Sequence, residues 1–224
     1  MFEDGDHFVV VLRQEDGTWV LTDEGHTFMH LSYSPVDLSQ GTRARVIEDT
    51  LAAYRVLNAS GELRLAVPGE SFGDALFTFV QALARITATA EWTKERVRST
   101  FFEDFRTLME QTVPRDRLTF GYTDTQTDPE RIYRVDCMIN HSLRPCYVFA
   151  IANDEQCRDA TITICHFERH ERDFRSLAVF EDQTEIGRRP LAQLSDVVGR
   201  QFSSLGASDR ITGYVREEIL GENR

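Results

Sequence analysis

The side chains that could do chemistry fall in a few places along this sequence. His26 and His30 stand four apart beside Asp23 and Glu24. On a helix the two imidazoles would share a face and could hold a metal or relay protons. In the alternative, Asp23-Glu24-Gly25 is a turn in which Asp23 accepts backbone N–H groups and the histidines are structural; the residue types favour this. Cys157, Cys165, His166 and His170 offer thiolate and imidazole, which suit zinc. The Cys157 to Cys165 spacing is too wide for the paired knuckles of a structural zinc site, so no metal is expected. His166 and His170, flanked by Glu168, Arg169, Glu171 and Arg172, read as a solvated, charge-paired helix face. With Cys137 and Cys146 these make four cysteines without a CxxC pair, expected as free thiols buried in strands.

Lysine usage removes whole reaction classes. Lys94 is the only lysine, and the other 24 basic residues are arginines. The chain has no Gly-x-x-x-x-Gly-Lys-Ser/Thr phosphate loop and no kinase-type strand lysine. A Schiff-base enzyme would have to use Lys94, whose neighbours Glu95, Arg96 and Arg98 suggest a solvated helix face. No Gly-x-Ser-x-Gly elbow is present, and no cofactor is expected.

The charge is uneven. The net charge is −12, and residues 1–40 carry eight acids against Arg13 alone. Asp4, Asp6, Glu15, Asp16, Asp23 and Glu24 form the candidate binding face. Such a field repels a phosphate backbone and attracts a basic protein surface, or else serves solubility alone. The acidic start lacks the basic and apolar regions of a signal peptide, and no run approaches the roughly 20 apolar residues of a membrane span. A cytoplasmic chain without membrane contact is the expectation.

The positioning elements follow from periodicity. His7–Arg13 and Trp19–Thr22, joined by Glu15-Asp16-Gly17-Thr18, predict a β-hairpin. Residues 26–31 continue as a short strand or helical turn, bounded further on by Pro35 and Gly41. A helix is expected over 42–58, a strand over 62–67, and a long helix after a capping box at Ser71 and Asp74. A second apolar stripe, Val97, Phe101, Phe105 and Leu108, predicts a helix as far as Pro114. Strands are then expected at 118–122, 132–139 and 146–152, a helix at 159–171, a strand at 176–180 and a helix at 191–205. The run 146–152 is apolar on both faces and predicts an interior strand. The class is α+β: a small N-terminal hairpin-and-helix domain, 1–92, and a C-terminal α/β domain with a mixed central sheet, 93–224.

Gly5-Asp6 before the first strand, Leu21-Thr22-Asp23-Glu24-Gly25 after the second, and the helix–strand–helix that follows carry a resemblance. Residues 3–90 resemble a family of uncharacterised bacterial and phage proteins, a domain of unknown function. The resemblance implies a mobile-element or phage-defence setting and names no reaction. Residues 95–215 resemble the core order of restriction-endonuclease-like folds: helix, three strands, helix, strand. That resemblance implies an Asp on the second strand and an Asp/Glu-x-Lys on the third, holding Mg²⁺ and activating water. Asp136 matches the first acid, and Glu103 the helix acid sometimes present. The third strand, Val148-Phe149-Ala150-Ile151-Ala152-Asn153, has neither acid nor lysine.

The expected function is therefore a non-catalytic regulatory or interaction protein that meets a basic protein surface. The competing class is a metal-dependent nuclease with a rearranged site around Glu103, Asp136 and Asp124 or Asp128. A third is nucleic-acid binding through the arginine-richer C-terminal part.

Overall fold

The computed structural model describes residues 2, 5–33, 38–140 and 144–222. Asp4 and Pro35 lie outside them. The chain divides into two compact units, Met1–Lys94 and Glu95–Arg224.

In the first unit, Val11–Glu15 (β1) and Thr18–Thr22 (β2) pair antiparallel in register Glu15↔Thr18. Asp16 and Gly17 both have positive φ, 47° and 81°, which is the backbone of a two-residue hairpin turn and explains the Asp-Gly step. The segment after Gly25 resolves as a helix, His26–Leu31 (α1). The next helix, Gly41–Tyr54 (α2), stops short of the expected residue 58. Arg55 closes it in the left-handed conformation, and Leu57–Ala59 (β3) turns through Ser60-Gly61 to pair with Glu62–Val67 (β4). Pairing with β4 overrides the helical continuation. The sheet order is β1-β2-β4-β3. Phe72–Ala90 (α3) buries Phe79, Leu83 and Ile86 in this unit's core. Ser71 makes no side-chain cap bond, so the expected capping box is not formed.

The second unit is built on a five-stranded sheet in sequential order: Leu118–Tyr122 (β5), Val135–Ile139 (β6), Cys146–Ile151 (β7), Arg175–Phe180 (β8) and Arg200–Phe202 (β9). The β5–β6 and β6–β7 pairs are antiparallel, whereas β7–β8 and β8–β9 are parallel, so the sheet is mixed. β7 is central, and all six of its residues are buried. Its Val148 and Ala150 join the core that also takes Phe101, Phe105 and Met109 of Lys94–Thr112 (α4) and Ile211 of Ser208–Tyr214 (α7). Tyr147, Phe149 and Ile151 face a second core with Ile164 and Phe167 of Asp154–Arg169 (α5) and Leu194 of Arg188–Ser195 (α6). Helices on both faces account for the uninterrupted apolar run.

Three expected boundaries move here, the first at β6, which begins at Val135 instead of the expected residue 132. α5 begins at Asp154 because Asn153 caps it, accepting the Gln156 N–H at 3.0 Å. The helix expected over 191–205 ends at Ser195, and residues 200–202 become β9. Gly199 permits that entry: a Cβ there would lie 3.1 Å from the Ser176 carbonyl oxygen of β8.

Candidate functional site

Asp136 stands on β6, where the β6–β7 ladder ends. Pairing runs Ile139↔Cys146, Met138↔Tyr147 and Cys137↔Val148. One step on, the Ala150 N–H donates to Asp136 Oδ2 at 2.8 Å, so a carboxylate replaces the backbone carbonyl that regular pairing would supply. A charge-assisted bond of this kind contributes roughly 1.5–3 kcal/mol. On the other flank the β5–β6 pairs Phe120↔Cys137 and Tyr122↔Val135 leave Gly121 and Asp136 between them. Gly121 has φ 63°, and a Cβ there would sit 2.9 Å from Arg134 Nη2. A side chain at this left-handed position would be strained and would displace that guanidinium. Burial pushes the Asp136 carboxyl above its ordinary range, opposed by the Ala150 N–H and by Arg134.

Glu103 is exposed on α4. Asp124 belongs to a different construction: it accepts from the Gln126 N–H at 3.0 Å and pairs with Arg172 Nη2 at 2.7 Å. Glu103, Asp124 and Asp136 therefore do not converge. Among the described residues no group of three or more His, Cys, Asp or Glu side chains could hold a metal ion.

Asp124 opens a polar cluster that periodicity alone did not reveal. Asp128, also buried, accepts the Tyr133 N–H at 2.7 Å. Tyr133 stacks on His166 with ring centroids 3.8 Å apart, and His170 lies 4.4 Å from His166. His166 is thus held against an aromatic ring, in place of the fully solvated helix face expected of it; His170 is exposed. Burial pushes the His166 imidazolium pKa down, and His170 adds to this, while Asp128 and Asp124 oppose it. Burial pushes the Asp128 carboxyl up, but the N–H groups of Ile132, Tyr133 and Arg131, with His166, outweigh it and leave it below the usual value.

Arg172 links this cluster to a pocket of about 310 Å³, to which Arg144, Arg175, Ser176, Gly199 and Tyr214 also contribute. It lies where β8 begins and where the chain enters β7 and β9.

The acidic residues of the first unit are less uniform than their types suggest. Asp6 and Asp16 are exposed. Glu15 pairs with Arg64, and Glu24 with Arg13. Asp23 is fully buried and so cannot belong to a binding face. Its Oδ1 accepts the N–H groups of Gly25 (2.9 Å) and Leu63 (2.8 Å), and its Oδ2 accepts that of Thr27 (3.0 Å), which is the turn role expected of it. His26 and His30 both lie on α1, where His30 stacks on Phe2 with centroids 3.8 Å apart.

The cysteines are free. Cys137 and Cys146 are buried on strands, their thiols pushed up to about 12 by burial. Cys157 and Cys165 lie on α5 instead of strands, the first buried and the second exposed, which corrects the expectation for both.

The family model of the domain of unknown function DUF1828 matches residues 1–86. This part of the chain is similar to an uncharacterised domain family, and the match ends within α3. No curated protein and no solved structure matches the chain. Among the described residues no helix is long and apolar enough to cross a membrane.

Proposed function

We propose that the chain is a non-catalytic regulatory or interaction protein. In this reading the C-terminal unit keeps a nuclease-like order of elements without nuclease chemistry, and the acidic N-terminal unit meets a basic protein surface. The phage-defence or mobile-element setting is the one that the Leu-Thr-Asp-Glu-Gly resemblance implies.

The observation that carries the reading is Asp136. It is the acid that a second-strand metal site would need, and its carboxylate is engaged by the Ala150 N–H. The neighbouring positions of the third strand are alanines, Ala150 and Ala152, which bring neither a second carboxylate nor a lysine. Support for a basic partner comes from charge. Residues 1–94 hold 14 acids against seven bases, and the pairing of Glu15 and Glu24 within the unit leaves that net excess unchanged at a distance.

The test has two arms. The purified chain, incubated with DNA or RNA and Mg²⁺ or Mn²⁺, is expected to leave both intact. Metal-dependent cleavage that Asp136→Ala abolishes would establish the nuclease reading instead. In the second arm, Asp6 and Asp16 are changed to Lys. Partner association in the native host should slow and lose part of its salt dependence while the melting temperature holds. Unchanged capture would reduce the acids to a solubility device.

A further inference from the structure

The pocket at the start of β8 carries an inference independent of the protein-binding reading. Three arginines from separate parts of the chain line it: Arg144 before β7, Arg172 after α5, and Arg175 as the first residue of β8. Each is anchored by bonds that use only some of its five donors. Arg144 Nε donates to the Phe174 carbonyl at 3.1 Å and pairs with Asp173 at 2.7 Å. Arg172 Nη2 is held by Asp124 at 2.7 Å and Gln126 at 2.8 Å, while its buried Nε has no partner. Arg175 Nη1 donates to the Glu218 carbonyl. Glu168 is the single acid among the residues lining the pocket. Asp173 and Asp124 already balance the charge of Arg144 and Arg172, so what the three forks offer an anion is their unused N–H donors, beside the single lining carboxylate of Glu168.

The rest of the wall narrows the ligand. Ser176 Oγ accepts the Gly199 N–H at 2.9 Å, so its own hydroxyl hydrogen remains a donor at the pocket floor. Phe174, Val197 and Tyr214 supply an apolar side beside the charged one. A volume of about 310 Å³ sits at the small end of ligand sites and suits a compact molecule. A nucleic-acid strand is disfavoured, because residues 95–224 carry 23 acids against 18 bases and would repel a long phosphate backbone.

We propose that this pocket binds a small phosphomonoester, with the phosphate on Arg144, Arg172 and Arg175 and the organic body against Phe174, Val197 and Tyr214.

Isothermal titration of the full chain with adenosine 5′-monophosphate, inorganic phosphate and adenosine, at constant ionic strength, tests it. The nucleotide is expected to bind saturably, inorganic phosphate to compete with it, and adenosine not to bind. Arg144→Gln, an exposed position, should weaken binding about tenfold or more without changing the melting temperature. Arg175→Gln, at the start of β8, should do the same, which separates loss of the site from loss of the fold. The proposal is overturned if neither phosphate compound binds saturably, or if both variants bind as the parent does. Binding of a short 5′-phosphorylated oligonucleotide without binding of the mononucleotide would also overturn it, in favour of a nucleic-acid end.

Discussion

Asp23 and Asp136 belong to different units, and each puts a carboxylate where a strand ladder ends. Asp23 follows the last β2–β4 pair, Thr22↔Arg64, and takes the Leu63 N–H. Asp136 follows the last β6–β7 pair, Cys137↔Val148, and takes the Ala150 N–H. The difference is in how completely each charge is compensated. Asp23 is fully buried but accepts three backbone N–H groups across both oxygens. Asp136 is half-buried and has one such donor, with Arg134 as its charged neighbour. A carboxylate saturated with backbone donors is a structural knot; one with capacity to spare is where another fold could place a metal. Among the described residues Asp136 is not part of a group of three or more His, Cys, Asp or Glu side chains that could hold a metal ion.

The largest effect is expected at Asp23. Asp23→Ala orphans the buried N–H groups of Thr27 and Leu63 and the part-buried one of Gly25, and should cost on the order of 3 kcal/mol or more. Asp23→Asn should cost about half as much, because its amide nitrogen must face at least one of those donors. Both tryptophans, Trp19 and Trp92, lie in the first unit, so urea unfolding followed by tryptophan fluorescence reports this unit. Equal stability of Asp23→Ala and the parent would remove the knot from the account.

A smaller effect is expected in the second unit, where Arg172→Gln leaves the buried Asp124 without its charged partner. The loss should be about 2 kcal/mol by calorimetry. The smallest effect is a pH dependence at Asp136. Its carboxyl is raised in the folded chain, so the folded state holds the proton more tightly than the unfolded one. Its contribution to stability is therefore full below the ordinary value of 3.8 and declines as pH rises through the raised one. Asp136→Asn keeps an acceptor for Ala150 and removes the titration. It should stay within about 1 kcal/mol of the parent at neutral pH and flatten the stability profile just above pH 3.8.

The local features were legible because their chemistry is local. Asp16-Gly17 demands a left-handed turn, and Thr22-Asp23-Glu24-Gly25 places a carboxylate within reach of the next N–H groups. The interior position of β7 was legible from six consecutive residues with no polar side among their faces. What could not be read depends on strand pairing and on partners outside the periodic stretch itself. The helix expected through residue 58 yields because β4 offers Leu57–Ala59 a strand partner. The helix expected through 205 yields because β8 offers one to Arg200–Phe202. Asp124 and Arg172 are 48 positions apart, so their ion pair has no sequence spacing to betray it. Asp136 was visible as a strand acid, but its bond to Ala150 depends on the register of β6 against β7, and no periodicity states a register.

In the proposed reading Asp136 serves the backbone of β7 instead of a metal ion. That reading is tested most directly by adding Mn²⁺ to the isotope-labelled chain and following paramagnetic broadening of the Ala150 amide and the Asp136 side chain by NMR. The account expects both signals to keep their line widths through submillimolar Mn²⁺, with the Ala150 amide remaining protected from exchange. Saturable broadening centred on those two residues, and lost in Asp136→Asn, would contradict it.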